Sequence, residues 1–470
     1  MCFKLKLKLF GILFLLILTS GCATYYYRTI RFQELFESGN VKAANKQLDQ
    51  LEKKVKNKDR LLFYFEKGVV LHMLGDYQQS NDFFEKAYLY VEDYRTDAAT
   101  EFASLLTNPG IKPYKAEDHE AVLIHYYKAL NYIMMVQYEE ALVECRRINN
   151  KLNTQNDKYQ YKNFTYKVDA FALNLMGVVY EANGQINDAF IAYRNAYNAY
   201  NDVYKTNFNI SAPKQLKRDL LRTAYLNGFT DELKRFEKEF DTTYVHQSEK
   251  GFNDLIFFWH NGLGPVKDEW SINFAIQKGE GGAVMFVNEE MGLAFPFFLS
   301  GDDKNSDISD LKFVRVAFPK YVERSPVYNV AYLSADSVKY ALEPYENINA
   351  IAFKTLEDRM IREVGTSLLR LALKQLSEEQ LRKENENMGM VLSIANALTE
   401  KADTRNWQTL PHTIFYSRIK LAEGQHEISL NTVENGQTNK AGQFQVDIHK
   451  GRPTFLMYHS LESNIPEGLK

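Results

Sequence analysis

The sequence predicts an α+β multidomain chain: an N-terminal irregular α-helical solenoid, then a mostly β C-terminal half that carries a helical-hairpin insertion and ends in a β-sandwich-like segment. Three observations lead there. Before residue 250, Ala, Tyr, Leu, Glu and Lys recur with helical periodicity and glycines are sparse. After it come short β-branched and aromatic runs, broken by Gly, Pro and Asn. Within the helical half, one pattern of small and large residues returns several times. The expected segments are 1–21 for a leader, 22–250 for the helical domain and 251–470 for the β domain, with the helical insertion at about 355–401.

The chain opens MCFKLKLKLFGILFLLILTSGC. Lys4, Lys6 and Lys8 precede an apolar run from Leu9 to Leu18, shorter than the roughly 20 residues a spanning helix needs. That is the form of a secretory signal. Thr19-Ser20-Gly21 before Cys22 resembles the lipobox of bacterial lipoproteins, whose cysteine thiol is diacylated before the leader is cut. Thr19 departs from the usual leucine, and Leu18 stands one place early. Cys22 is therefore the expected lipid acceptor. Two or three acyl chains hold a protein on a membrane, where a single chain binds only marginally. Ala23 is not the aspartate that commonly retains such proteins at the inner membrane, and no acidic cluster follows Cys22. The expected location is the outer membrane, with the body facing the periplasm.

The 470 residues include 57 basic and 60 acidic side chains, and losing the three leader lysines makes the balance slightly more acidic. This argues against broad nucleic-acid binding and against a polybasic lipid patch. Of the three cysteines, Cys2 leaves with the leader and Cys22 is acylated. Cys145 then lacks a disulfide partner and is expected to be buried as a small apolar residue.

The helical repeat is clearest in FYFEKGVVLHMLGDYQQSNDFFEKA, where Gly68, Leu71, Gly75, Tyr77, Ser80, Phe84 and Ala87 fall at the offsets of a tetratricopeptide (TPR) unit. Small residues let two helices approach and large ones fill between them. Ala129, Tyr132, Val136, Tyr138, Ala141, Cys145 and Ile148 repeat it, as do Gly177, Tyr180, Gly184, Ile186, Ala189, Tyr193 and Ala196. A weaker fourth unit has Gly228 at its turn. Equivalent positions 68, 129 and 177 are wider apart than the about 34 residues of a regular array, so extra helices or long loops intervene. One such insertion holds LTNPGIKPY, whose prolines and glycine break a helix.

In the second unit His119 and His125 raise the question of a metal. Their spacing sets the rings roughly 120° apart around a helix, too far to share an ion. Nor does Cys145 add a ligand, because it stands at a core position of the unit. No metal and no cofactor are expected. Helix A of each unit lines the concave surface of such an array. Its usual offsets select Phe65, Val69, His72, Tyr126, Leu130, Ile133, Asn174 and Glu181 as a candidate partner groove. Two readings stay open for this mostly apolar set. It receives a peptide of a cell-envelope protein, or it seats the inserted helices or the C-terminal half.

The second half begins with GFNDLIFFWHNGLGPVKDEW, a buried strand running into a turn at Asn261-Gly262. SINFAIQKGEGGAVMFVN, GLAFPFFL and LKFVRVAFPKY follow as strands joined by Gly-rich or Asp-rich turns. KGEGGA lacks the Gly-Lys-Ser/Thr ending of a phosphate loop and precedes a strand, so it reads as a hairpin turn. The insertion carries apolar residues spaced for an antiparallel helix pair, with SEEQLRKENEN at or near its connection. Two strands around Ala422-Glu423-Gly424-Gln425, then GQFQVDIHKGRPTFLMYHSL, resemble the last hairpins of a small β-sandwich. Asp403, Arg405 and Trp407 read as an ion pair and a buried aromatic that pin helices to sheet. Asp302 and Asp303 read as solvated loop residues.

NPGIKPYKAEDHEAVLIHYYKALNYI, YEEALVECRRINNKL, GVVYEANGQINDAFIAYRNAY, WHNGLGPVK and DTRNWQTLP together resemble an uncharacterised family of TPR-containing bacterial lipoproteins. The resemblance covers nearly the whole mature chain and implies no assigned catalytic activity. Members are sometimes encoded beside lipoproteins that activate penicillin-binding proteins, an association that supplies no site. The sequence lacks Gly-x-Ser-x-Gly, zinc-ligand spacing, a phosphate loop and a nucleophilic cysteine. The expected function is thus that of a lipid-anchored, periplasm-facing adaptor that binds a cell-envelope protein through its TPR-like helices. The alternative is an envelope-acting enzyme with its site in the C-terminal β half.

Overall fold

Ten helices of the described chain form five antiparallel pairs. The computed structural model describes residues 25–93, 110, 112–158, 164–246, 251–278, 283–298, 313–384, 401–434 and 437–466. The pairs are α1 (Tyr25–Glu37) with α2 (Val41–Leu51), α3 (Arg60–Met73) with α4 (Tyr77–Asp93), and α5 (Asp118–Met134) with α6 (Tyr138–Lys158). Then come α7 (Ala170–Ala182) with α8 (Ile186–Ala199), and α9 (Lys214–Leu226) with α10 (Thr230–Glu239). Most of LTNPGIKPY lies outside the described residues. The sequence pattern anticipates the last four pairs and misses the first.

Two glycines show why the pairs close. A Cβ on Gly68 would stand 2.7 Å from the Phe84 ring, and one on Gly177 would stand 2.5 Å from the Tyr193 ring. Ser80 of α4 adds a hydroxyl bond to the Gly68 carbonyl at 2.8 Å. The inter-helix turns need a left-handed residue, supplied by glycine at four of them. In the α5–α6 turn Val136 takes that role at φ 60°, an unusual place for a β-branched side chain.

After α8 the chain continues through a π-helical turn, Tyr200–Tyr204. This aims Tyr200 and Tyr204 at the C-terminal half: the Tyr200 hydroxyl donates to the Tyr345 carbonyl at 2.8 Å, and Tyr204 meets Glu346 at 3.1 Å.

The β half holds two stacked four-stranded sheets. The inner one has the order β13-β1-β10-β9 and the outer one β12-β11-β7-β8. Their strands are β1 (Phe252–Asn261), β7 (Val330–Ala335), β8 (Val338–Ala341), β9 (Glu343–Asn347), β10 (Thr413–Ala422), β11 (Gly424–Glu434), β12 (Gln437–Ile448) and β13 (Thr454–Ser460). Alternate residues of a strand point to opposite faces, and β1 uses both. Leu255, Phe257 and Trp259 join the core between the two sheets. Ile256 and Phe258 join the core of the helical solenoid. The unbroken LIFFW run is therefore a strand buried on both sides, and the chain stacks as solenoid, inner sheet, outer sheet.

A third sheet, β4-β3-β2-β5, is built from β2 (Val266–Lys278), β3 (Ala283–Asn288), β4 (Leu293–Phe298) and β5 (Phe313–Val322). β2 and β3 pair antiparallel as a hairpin requires, while residues 279–282 of KGEGGA lie outside the described residues. Asp302 and Asp303 also lie outside them. Val364 and Leu368 of α11 (Ile348–Glu384) pack on this sheet with Phe274 and Phe318. The short strands β6 (Ser325–Pro326) and β14 (Ser463–Asn464) pair with each other.

Two expectations are corrected. The insertion's first helix begins at Ile348, ahead of the expected start near 355, and its described part runs to Glu384 within SEEQLRKENEN; the connection and the second arm fall outside the described residues. The Ala422–Gln425 turn is not a hairpin but a corner that carries the chain from the inner sheet to the outer one. Both edges of β10 are already taken, by β1 and β9, so β11 has no place beside it. The true hairpin is β11 with β12.

Candidate functional site

The concave face is the centre of the molecule, and the inner sheet lies on it. Phe65, Val69 and His72 recur along one face of α3, Tyr126, Leu130 and Ile133 along one face of α5, and Asn174 and Glu181 along one face of α7. The first seven are buried, and Glu181 is intermediate with a side chain 6 % exposed. Phe65 stacks on Trp407 with ring centroids 4.1 Å apart. Tyr126 shares a 2.7 Å hydrogen bond with His260 Nε2 of β1. Val69, Leu130 and Ile133 belong to one core with Ile256, Phe258, Ile414 and Tyr416 of the sheet. The candidate partner groove is thus filled by the chain's own C-terminal half, the second of the two readings. The physical reason is matching apolar faces: β1 and β10 present large side chains on the side that meets the helices.

Glu181 marks the charged end of this seam. It accepts hydrogen bonds from both guanidinium nitrogens of Arg222 on α9, and from Arg418 of β10 at 2.5 Å. Arg418 also reaches Asp219 at 3.2 Å and Asp254 of β1 at 2.5 Å, while Lys420 meets Asp254 at 3.1 Å. Among the described residues, three carboxylates, Glu181, Asp219 and Asp254, thus meet three cations, Arg222, Arg418 and Lys420. Burial pushes the Glu181 carboxyl up, but Arg222 and Arg418 outweigh it and hold it down at about 2. Asp219 goes the other way, raised by burial against the pull of the same two arginines.

At the opposite end Asp403, Arg405 and Trp407 take the pinning role read from the sequence. Arg405 is bonded to Asp403 at 2.7 Å, to Asp59 at 3.2 Å and to the carbonyls of Lys58 and Lys112. The Trp407 amide donates to Glu120 at 2.6 Å. Glu117, at the start of α5, binds both Lys267 of β2 and Arg359 of α11. Burial raises its carboxyl, and these two cations bring it down to about 2.

Between the two ends sit three histidines. His260 and His459 are direct neighbours across the parallel β1–β13 pair, and His72 approaches from α3. One ring nitrogen of each lies within 4.8 Å of one from each of the others. Both nitrogens of His459 lie 3.2 Å from His260 Nδ1. Burial lowers His72 to about 4 and takes His260 and His459 well below the usual imidazole range, so all three are neutral at pH 7.

His119 and His125 do not converge. His125 Nδ1 bonds Glu144 at 2.7 Å, whereas His119 Nδ1 lies 3.4 Å from Thr355 Oγ1. Cys145 is fully buried, and burial pushes its thiol far up, as expected of a packing residue. Cys22 lies outside the described residues. The sequence reading placed His72 and Tyr126 at the concave face but missed His260 and His459. The only signal for those two was one histidine on the solenoid side of each of two strands.

No protein-family model and no curated protein sequence matches the chain. Among solved structures, the chain is similar over 46 % of its length to MamA residues 41-end from Desulfovibrio magneticus RS-1, with 89 % of that chain covered, 17 % identity and a TM-score of 0.29. It is similar over 47 % of its length to the apo form of RapI, with 55 % of that chain covered, 13 % identity and a TM-score of 0.34. A third likeness is to the Rap conjugation gene regulator of plasmid pLS20, solved with the Phr* peptide. It covers 46 % of this chain and 54 % of that one, at 15 % identity and a TM-score of 0.27. The chain spans about half the length of the two Rap proteins.

Proposed function

We propose that the chain is a lipid-anchored scaffold of the bacterial cell envelope, held at the outer membrane by acyl chains on Cys22, facing the periplasm and binding an envelope protein. The observation that supports a body held close to such an anchor is the packing of helix α1, three residues beyond Cys22. Helix α1 starts at Tyr25, whose hydroxyl bonds Glu66, and the next residue, Tyr26, bonds the backbone of Asn406. Three extended residues reach at most about 11 Å, so an anchor at Cys22 keeps the body against the lipid surface. Exposed Tyr27 and Ile30 on α1 suit the headgroup level there.

With the concave face filled, a partner meets the outer faces, where α6 exposes Val143 and α8 exposes Ile191. The test is a photo-crosslinking amino acid at Val143 or Ile191 in cells, together with metabolic labelling by a clickable fatty acid. The expected result is label on the wild type that is lost in Cys22→Ser, and crosslinks to an envelope protein that weaken in the same variant. Equal label on both chains contradicts the anchor. Failure of both outer positions to crosslink any protein contradicts the scaffold.

A further inference from the structure

We propose that His72, His260 and His459 bind one first-row divalent transition-metal ion, with zinc as the natural probe, and that the ion clamps the inner sheet to the concave face of the solenoid. Imidazole suits zinc, copper and nickel, and geometry decides among sites. In tetrahedral zinc sites with nitrogens at about 2.0–2.1 Å, ligand nitrogens are about 3.4 Å from one another. The 3.2 Å separation of His260 Nδ1 from each His459 nitrogen is close to that spacing, and a turn of the His459 ring aims one of them at the shared ion. The third imidazole closes on them by a shift on the order of 1 Å.

The hydrogen bonds around the cluster hold His72 in the form a metal needs. Ser80 donates its hydroxyl proton to the Gly68 carbonyl, so its oxygen accepts from the Asn131 amide at 2.9 Å. The same amide donates to Asn81 Oδ1 at 2.8 Å, which leaves Asn131 Oδ1 facing His72 Nδ1 at 2.6 Å. A carbonyl oxygen only accepts. His72 Nδ1 therefore carries the proton, and Nε2 keeps its lone pair. For His260, a proton on Nε2 is received by the Tyr126 oxygen at 2.7 Å, leaving Nδ1 as the nitrogen that faces His459. Metal-bound histidines almost always donate their other ring proton to such a partner, which fixes ring and tautomer.

Three neutral ligands leave the charge of the ion uncancelled, so the fourth position takes hydroxide or a small anion. His459 is the one residue of the three that is partly exposed. The ligands come from both halves of the chain, one from α3 and two from the sheet, so binding free energy adds directly to the docking of the two halves. This reverses the expectation of no metal, which considered only histidines close together in sequence.

The test uses the full chain, purified in detergent without a histidine tag, stripped with chelator and titrated with cobalt(II), then zinc. The expected result is one cobalt per chain with the visible absorption of a four-coordinate nitrogen-rich site, displaced by zinc. Zinc should also raise the melting temperature by several degrees. All of this should be lost in His459→Ala and kept in His449→Ala, an exposed histidine outside the cluster. Equal uptake by the wild type and His459→Ala overturns the site. Should His459→Ala fail to fold, the wild type still decides: no uptake at micromolar cobalt, or the spectrum of an oxygen-ligated octahedral ion, refutes it.

Discussion

Replacing Arg418 by Met removes a charge from the buried seam while keeping most of the side chain's length. Arg418 is 7 % exposed, and its partners Glu181, Asp219 and Asp254 are 6 %, 0 % and 11 % exposed. Breaking a buried ion pair from one side costs about 3–5 kcal/mol, because the remaining charge is left uncompensated. Here the cost should fall near the lower end, about 3 kcal/mol. Arg222 still pairs with Glu181 and Asp219, and Lys420 stays on Asp254. The loss also has a sign in pH. Without Arg418 the three carboxyls have folded pKa values raised above their unfolded ones, so protonation relieves the variant below those raised values, most fully at and below the ordinary carboxylate range. Its deficit then grows as pH rises. Urea unfolding of wild type and Arg418→Met at pH 5 and pH 8 measures both quantities. A deficit under about 1 kcal/mol that is the same at both pH values would refute the idea that this seam is buried and ion-paired.

Gly177→Ala should lose about 1–2 kcal/mol, because overpacking against the buried Tyr193 ring outweighs the gain in helix propensity. Gly365→Ala, on α11 with nothing within 4 Å of its new Cβ, should gain up to about 1 kcal/mol; thermal melts of both decide. Burial raises Glu66 from 4.5 to about 8. The neutral carboxyl's contribution is complete below 4.5 and disappears as pH rises through 8, so Glu66→Gln should flatten stability over that window. By pH 8 the variant should be more stable than wild type by a few kcal/mol, and parallel pH–stability curves would contradict the assignment.

The helix pairs were legible because their spacing reflects contacts made within each pair, such as Gly68 against Phe84 and Gly177 against Tyr193. The α1–α2 pair escaped notice because α2 buries only Ala44 and Leu48, too thin an apolar stripe to declare itself. The unbroken apolar run of β1 announced a buried strand, but not which face would meet helices. The eight candidate positions recur along helix faces, and the sequence left open what covers them. That depends on contacts between residues far apart in the chain, such as Phe65 with Trp407. The histidine cluster was invisible for the same reason: His72, His260 and His459 each stand among unremarkable neighbours, and only the β1–β13 register and the seating of the sheet bring them together. The corner after β10 was misread because a glycine-containing turn between strands looks the same whether the next strand returns to its own sheet or moves to another.

The central claim is that the C-terminal sheet covers the concave face of the solenoid. A photo-crosslinking amino acid placed at Tyr126 tests it most directly, since Tyr126 lies 2.7 Å from His260. After irradiation of cells, the account predicts a link within one chain, joining the Tyr126 peptide to the β1 segment around His260, with no separate protein attached. A crosslink from this position to another protein, with the β1 peptide left unmodified, would show an open groove and contradict it.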